Sequence, residues 1–434
     1  MRILLAGGTG FIGGHILRVL LVAGHDVNVV ARRLGPPLAG VTWVARDYAR
    51  HHAPEDWAEA VRGVDAVVNA VGIIREAPGQ TFEALHAQAP CALFEAAAAA
   101  GVRRLIQVSA LGCDDAAPEP YFRTKRVTDR RVVALGGVVL RPSFVWGAGD
   151  LSMRFFRQLA ALPVVPVVGD GQYRVQPVHV ADVARAVLVA VERPLDAGAG
   201  RGGACDLGGA YDLGGAEVLT FDALLDALRR RMGRSAPAPK LHVPLGLMRV
   251  VARAGTAAGR GPITSDELAM LLRGSTCARA PFEADFGFTP RGFTDALALE
   301  PGADREATLA EVDAIVPFLR FTVGFIWLAT PYVTWFVWPR AQSLSLLDDA
   351  GLPVSLAPFA IDLTCVVELL LGLATWAGWR LAWVGGLQFL MVLAFTALLI
   401  AGGSSLWGHP FGPLTKNVPL LAAILLLIAT RDRK

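Results

Sequence analysis

Tyr121 and Lys125 stand four residues apart in a stretch of helical pattern, Tyr121 to Leu135, so both side chains project from one helix face. An ammonium beside a phenol favours the phenolate and draws its pKa towards neutrality, which makes Tyr121 a usable general acid or base. Ser109 ends a short apolar run, Leu105 to Ser109, from which its hydroxyl can orient a carbonyl or hydroxyl group. Tyr121, Lys125 and Ser109 are therefore the catalytic candidates. They can move a proton at a C–O group, while the hydride of such a reaction would come from a bound cofactor. The competing reading is a helix whose Tyr and Lys are ordinary surface residues on a protein that holds a nucleotide without turning over a substrate.

The place for that cofactor is written at the N-terminus. Arg2 to Ala6 reads as a buried strand, Gly7-Gly8-Thr9-Gly10-Phe11-Ile12-Gly13 follows at once, and Gly14 to Ala23 reads as a helix. Gly7 permits a tight turn, Gly10 lets the backbone approach a pyrophosphate, and Gly13 allows the helix to pack closely on the strand. Thr9, Phe11 and Ile12 complete the loop, and the helix N-terminus offers free N–H groups and a favourable dipole to the phosphates. A second strand, Asp26 to Ala31, ends in Arg32-Arg33 with no acid where an NAD-binding domain usually carries one. Arginines there suit a 2′-phosphate, so the sequence favours NADP(H) over NAD(H). The plain alternative is that Arg32 and Arg33 are solvated surface charges.

Strand and helix patterns then alternate. Val41 to Ala45, Ala66 to Val71, Leu105 to Ser109 and Val138 to Arg141 read as strands, with helices over Thr81 to Ala100 and Tyr121 to Leu135. Such alternation means an α/β doubly wound parallel sheet of Rossmann type with helices on both faces. Asn69-Ala70-Val71-Gly72 ends the fourth strand at the carboxyl edge, where these sheets bind ligands. The chain's net charge of +3, with no basic stripe carrying interleaved aromatics, argues against nucleic acid as a partner. Five cysteines without a CxxC pair read as reduced thiols, and no metal-ligand spacing is present. Met1-Arg2 leads straight into a strand, so no signal peptide is expected and the nucleotide domain should stay in the cytoplasm.

Gly7 to Gly13, Asp47, Asn69 to Gly72, Ser109, Tyr121-Phe122-Arg123-Thr124-Lys125 and Leu140-Arg141-Pro142-Ser143 together resemble the short-chain dehydrogenase/reductase superfamily. The match is to its extended and atypical branch, which includes NAD-dependent epimerase/dehydratases. Val108-Ser109-Ala110-Leu111-Gly112 and Gln176-Pro177-Val178-His179-Val180-Ala181-Asp182-Val183 are similar to the group containing the Rossmann-type accessory subunit of respiratory complex I. The resemblance covers roughly Met1 to Phe293. It implies that Asp47, Asn69, Ala70 and Gly72 join the glycine loop in holding the nucleotide, and that Lys125 hydrogen-bonds the nicotinamide ribose. One departure stands out: the family's catalytic serine often lies a residue or two beyond the strand, where this chain has Ala110-Leu111-Gly112. His179 reads as structural. Pro244 to Ala254, apolar and punctuated by Arg249 and Arg253, reads either as a helix on the membrane interface or as a helix of the substrate subdomain.

After Val312 the charges nearly vanish. Ile315–Trp338, Ser355–Trp379 and Leu381–Gly402 are each long enough to cross about 30 Å of hydrocarbon, and a shorter fourth segment, Val418–Thr430, needs its flanks to span. An all-α transmembrane four-helix bundle over 313–434 is expected after a nucleotide-binding domain over 1–300. Tryptophans cluster at the segment ends, as aromatic belts do. With four crossings, Arg380 and the basic tail from Arg431 lie on the same side as Met1, which the positive-inside rule makes cytoplasmic in a multi-pass protein of the cell (inner) membrane. Glu368 is mid-span and reads as a polar group with a role inside the bundle, while Arg320 and Asp362 lie nearer the interfaces. The loop Trp407 to Asn417 and the four-span layout resemble the DoxX-like membrane family, whose broader group has been linked to quinone-dependent electron transfer.

Two functions follow as expectations. One is an NAD(P)-dependent oxidoreductase of the short-chain type, anchored in the membrane and acting on a small-molecule or lipid-like substrate of isoprenoid or quinone type. The other is a non-catalytic nucleotide-binding assembly or sensor protein of the membrane. Either can be an oligomer.

Overall fold

The computed structural model describes residues 1–114, 117–193, 208–258, 263–349, 351–401 and 415–430. Pro194 to Leu207, most of the loop Trp407 to Asn417 and the basic tail from Arg431 lie outside them. Two compact units divide the chain, Met1–Ala307 and Thr308–Lys434.

In the first unit, β1 (Arg2–Ala6), β2 (Asp26–Ala31), β3 (Val41–Ala45), β4 (Ala66–Asn69), β5 (Arg104–Val108) and β6 (Val138–Pro142) are all parallel. Short pairs follow: β7 (Val145–Trp146), β8 (Val165–Val168), β9 (Arg174–Val175), β10 (Val178–His179), β12 (Leu219–Thr220) and β13 (Lys240–Val243). Between them β11 (Gly209–Leu213) joins the main sheet against β6, giving seven strands in the order β11-β6-β5-β4-β1-β2-β3. Ile3, Leu4, Leu5 and Ala6 are all fully buried, because a parallel sheet covered on both faces needs apolar side chains on each. On one face α1 (Phe11–Val22) packs with the later helix α5 (Val180–Glu192); on the other lie α2 (Ala89–Ala99) and α3 (Pro120–Ala134). The order turns between β1 and β4, from which neighbours run outwards in opposite directions; that switch point is where doubly wound sheets bind ligands.

The segment expected as one helix over Thr81 to Ala100 is two. Glu83–Gln88 forms a π-helical turn before α2 begins. Pro90 has no N–H to offer the carbonyl of His86, and Thr128 Oγ1 donates to that carbonyl instead at 2.6 Å. The smaller subdomain carries α4 (Leu151–Ala161), α6 (Phe221–Arg231), α7 (Leu245–Ala258) and α8 (Ser265–Arg273). Arg229 at the basic end of α6 is buried and donates to the carbonyls of Ala160, Leu162 and Ser235, so this arginine ties the subdomain together. His179 caps α5 by accepting from the Ala181 N–H, and its other ring nitrogen lies 2.8 Å from Glu300, a structural role. Two short helices, α9 (Ala280–Phe286) and α10 (Phe293–Leu299), complete the unit.

The second unit is helical: α11 (Ala303–Phe336), α12 (Arg340–Asp349), α13 (Ala357–Ala377), α14 (Leu381–Ala401) and α15 (Asn417–Thr430). Three of them, over Ala307–Phe336, Ala357–Ala377 and Leu381–Leu398, are long and apolar enough to cross a membrane. α15 is apolar but only 14 residues long, about 21 Å of helix, so the fourth crossing of the expected bundle does not reach full length among the described residues. Its polar groups find partners inside the bundle. Gln388 Nε2 donates to Thr375 Oγ1 at 2.9 Å, and Asn417 Nδ2 to Thr396 Oγ1 at 2.8 Å. Asp362 pairs with Arg340 at 2.7 Å and accepts from Trp335 Nε1. Glu368 is buried within α13.

One buried side chain locks the sheet's carboxyl edge. Asn69 accepts from the Tyr48 hydroxyl at 3.0 Å and from the Val71 N–H at 3.1 Å, and donates to Gln107 Oε1 at 2.7 Å. Asn69→Ala strands the Tyr48 hydroxyl and Gln107 Oε1 and is expected to cost about 2–4 kcal/mol. The thermal midpoint of the first unit should fall by roughly 3–6 °C; an unchanged midpoint in calorimetry would show that the network carries no stability.

Candidate functional site

Gly7 sits at φ +84°, and a Cβ there would lie 2.7 Å from the Ala70 carbonyl carbon and 2.8 Å from the Val71 nitrogen. A Cβ on Gly13 would lie 2.0 Å from the Gly7 oxygen. Both positions need glycine because α1 and the loop after β4 crowd onto the β1 turn. Gly10 differs: its Cβ would meet only the Gly7 oxygen, at 3.3 Å, and the residue faces solvent. α1 has no side-chain cap, so its first-turn N–H groups, from Phe11 to Gly13, have no intrahelical acceptors. Two crowded glycines, one open glycine and an uncapped helix start form a cradle that fits a pyrophosphate. Thr9 is exposed beside it.

The other expected nucleotide residues line the same edge. Arg32 and Arg33 follow β2, are exposed and make no ion pair among the described residues. Asp47 follows β3, and its carboxylate accepts from the Ala49 N–H at 3.0 Å, an Asx turn. Ala70 and Gly72 follow β4. Asn69 is turned inwards and acts on the edge through the loop it holds, since its polar atoms are committed to Tyr48, Val71 and Gln107.

Tyr121 and Lys125 share the inner face of α3, joined one turn later by Asp129. All three are buried, and the Lys125 ammonium lies 5.6 Å from the centre of the Tyr121 ring. The expectation that Lys125 lowers the Tyr121 pKa does not hold in this cleft. Burial pushes the phenol above its ordinary value, and the Cys113 thiol and Asp129 carboxylate push the same way. Lys125 lies over the ring, and its own pKa is lowered by burial. Tyr121 is thus held as a protonated phenol.

Ser109 is turned from the reading given it. Its hydroxyl lies 3.6 Å from Cys113 Sγ and lowers the Asp129 pKa, so it contacts the base of the α3 charge cluster. Ala110, Leu111 and Gly112 occupy the next positions, and Ala110 packs against the cluster that holds Tyr121 and Phe122.

Three residues missed in the sequence complete the site. His86 packs edge-on against Tyr121 with ring centres 5.4 Å apart, and its Nε2 accepts from the Ile73 N–H at 3.0 Å. That acceptor role assigns the proton to Nδ1, which faces Thr124 Oγ1 at 3.3 Å. Burial and the nearby Lys125 push its pKa down to about 2, so the ring is neutral. Asp129 pairs with Arg141 at 2.9 Å, and burial raises its pKa against the pull of that arginine. Phe82 closes the wall, 5.8 Å from Tyr121. The i, i+4, i+8 spacing of Tyr121, Lys125 and Asp129 carried a signal for Asp129; His86 sits 35 residues from Tyr121 by their numbers and carried none. Above the cluster, Arg75 forks onto Glu267 of α8 with two 2.6 Å bonds, and Met270 of α8 packs on the aromatic wall. No group of three or more His, Cys, Asp or Glu arranged for a metal occurs among the described residues.

Known proteins resemble this chain in parts. Residues 3–202 match the model of the NAD dependent epimerase/dehydratase family, and residues 324–425 match the DoxX-like family. The mouse (Mus musculus) mitochondrial NADH dehydrogenase (ubiquinone) 1 alpha subcomplex subunit 9 is 30% identical over 203 residues, 43% of this chain and 52% of that protein. A ceramide reductase of Caulobacter vibrioides is 30% identical over 200 residues, 44% of this chain and 61% of that one. The chain thus spans little more than half the length of these relatives. A nucleoside-diphosphate-sugar epimerase structure from Staphylococcus aureus, 19% identical, superposes with a TM-score of 0.54 over 69% of this chain and all of that one, a likeness of fold.

Gly10→Val places a branched side chain in the open cradle and should abolish dinucleotide binding while leaving the thermal midpoint of the protein close to wild type. Gly13→Val should instead lower that midpoint sharply, since its first side-chain atom already overlaps the Gly7 carbonyl. Binding retained by the Gly10 variant in a fluorescence titration would move the phosphates elsewhere.

Proposed function

We propose that this chain, in which an NAD dependent epimerase/dehydratase domain precedes a DoxX-like membrane domain, is a membrane-anchored NADP(H)-dependent oxidoreductase acting on a lipid-like substrate, isoprenoid or quinone-type molecules included. The observation that carries this reading is the Tyr121–Lys125 pair, buried on one face of α3 beside Gly72 and walled by Phe82 and Phe122. A Cβ on Gly72 would lie 3.3 Å from Lys125 Nζ, so the pair stands at the mouth of the nucleotide edge.

A bound nicotinamide supplies the hydride. The residues handle the proton: Tyr121 Oη, held protonated by its dry setting, donates to a carbonyl oxygen as the carbon is reduced. Lys125, over the ring, keeps a positive charge near the phenolate that remains. His86, neutral and fixed by the Ile73 N–H, keeps the ring in place. The apolar wall selects a substrate with little polarity near its reacting carbon, in keeping with a similarity to a protein named a ceramide reductase.

A second reading has its own observation. Ala110 stands beyond Ser109, and Ser109 is engaged with Cys113 below the site. A nucleotide-holding protein of a membrane assembly would tolerate that, and the mouse relative bears the name of a subunit of a larger enzyme. The two readings separate in detergent-solubilised or bilayer-embedded protein supplied with NADPH and a panel of apolar ketones and quinones. The first expects turnover that Tyr121→Phe lowers by at least about 10²-fold, the scale of a lost general acid. Equal rates in wild type and variant, or no oxidation with any acceptor, would favour the second.

The preference for NADP(H) is supported by the two free guanidinium groups after β2. Wild type should bind NADPH about tenfold or more tightly than NADH, roughly 1.4 kcal/mol, and the double change Arg32→Ala with Arg33→Ala should erase most of that difference. Equal wild-type affinities would sink the assignment.

Our reading makes the chain a multi-pass protein of the cell (inner) membrane with its nucleotide unit cytoplasmic. Arg380, between α13 and α14, and the basic tail support that side, with α12 facing outwards. With the accessible native cysteines replaced by serine, Ser345→Cys in α12 should react with an impermeant maleimide in intact cells and Val22→Cys in α1 should not. The reverse pattern would invert the topology.

A further inference from the structure

We propose that α7 is a membrane-docking helix: its outward face inserts at the headgroup boundary of an anionic bilayer. α7 has three distinct sides. Ala252 and Gly255 face inwards, and Thr256 Oγ1 accepts from the Ser265 N–H at 3.0 Å, fastening α7 to the start of α8. The opposite side is apolar yet bare: Leu247 is 55% and Val250 63% exposed, with Ala254 and Ala257 continuing the same stripe at helical spacing. Leu241 of the neighbouring β13 is exposed as well. Along one edge of that stripe run Arg249 and Arg253, both exposed and neither ion-paired among the described residues.

A soluble surface does not gain from a row of bare aliphatic side chains edged by arginines. A bilayer surface does: the aliphatic groups enter the acyl boundary while the guanidinium groups meet lipid phosphates. The same chain carries helices long and apolar enough to cross a membrane, so α7 never has to find a bilayer from solution. A tether of this kind turns a weak surface affinity into a local equilibrium. The occupant that matches both the apolar stripe and its positive edge is therefore an anionic lipid surface.

Docking has a consequence for the site, which rests on the catalytic reading; the docking itself does not. α8 joins α7 to the aromatic wall, since its Met270 packs against the cluster that holds Phe82, Tyr121 and Phe122. A docked α7 sets that wall close to the acyl region, the shortest dry route for an apolar substrate.

The test uses the full-length protein in nanodiscs, with a polarity-sensitive NBD label on Val250→Cys, or on Val22→Cys as a control, after Cys91, Cys205 and Cys277 are replaced by serine. Val22 is 85% exposed on α1 and lies off the proposed surface. In bilayers containing phosphatidylglycerol, the label at position 250 should shift to the blue and be quenched by brominated acyl chains, while the label at position 22 should do neither. Each arginine contributes roughly five-fold to partitioning on an anionic surface, so Arg249→Glu with Arg253→Glu should shift the docked-to-free ratio at least about 25-fold and remove the quenching. Raised salt should act in the same direction. Absence of quenching at position 250 would overturn the proposal, as would quenching equal to that at position 22. A blue shift without quenching would show a protein surface, from another unit or a second copy, covering α7, and would overturn it too. Nucleotide binding measured in parallel reports that each variant is folded, and no arm depends on turnover.

Discussion

A side chain at Gly13 would put its first carbon 2.0 Å from the carbonyl oxygen of Gly7, and one at Gly7 would strike the backbone of Ala70 and Val71. That close meeting of α1, the β1 turn and the end of β4 is the constraint from which the rest of the nucleotide unit is built. It brings the free N–H groups of α1 to the carboxyl edge of the sheet at the switch point. It also brings the β4 loop against Lys125, because the loop that touches Gly7 at Ala70 reaches the ammonium two residues later at Gly72. No residue with a Cβ satisfies the contacts at Gly7 and Gly13, so the β1 turn, α1 and the β4 loop meet backbone to backbone, and that loop then reaches the Lys125 side chain on α3.

The electrostatics of the cleft follow from how deeply that arrangement buries α3. Lys125, Asp129 and Arg141 form an alternating string of charge from the ring of Tyr121 into the sheet. Each burial is unfavourable alone, and each is offset by the neighbour of opposite sign. Burial lowers the pKa of Lys125 and raises that of Tyr121. The result is a protonated phenol with a positive charge over its ring. His86 adds no charge; its ring is neutral because burial and Lys125 both oppose protonation.

Polar groups in the second unit obey the same accounting in a drier solvent. Gln388 meets Thr375 across α13 and α14, Asn417 meets Thr396 across α14 and α15, and Trp376 donates to the carbonyl of Phe321 on α11. Each bond crosses between helices, so the polar side chains hold the helices in register where lipid offers no hydrophobic drive for helix against helix. Asp362 is relieved by Arg340 and Trp335 at the end of the helices.

Strand and helix identity, the glycine loop and the long apolar spans were legible in the sequence because each is governed by neighbours a few residues apart. Gly7, Gly10 and Gly13 declare a turn, a cradle and a packing contact by spacing alone, and Tyr121 with Lys125 declares a shared helix face. The two-part helix over Glu83–Ala99 was not legible as such, although Pro90 marks the cause, because the π turn is stabilised by Thr128 from a different helix. Direction of side chains was decided only in three dimensions. Asn69 looked like an edge residue and is an interior tie, since Tyr48 and Gln107 come from strands' ends on either side of it. Ser109 looked like a substrate-facing hydroxyl and faces Cys113, since the chain reverses within four residues. The sign of the Tyr121 shift depended on burial, which spacing cannot report: the i, i+4 rule sets a lysine beside the ring, but Phe82, His86 and Phe122 pack around that ring and desolvation dominates. Local pattern determines which groups a helix or strand carries; the order of strands in the sheet determines which of them meet, because that order joins residues that no short-range rule connects.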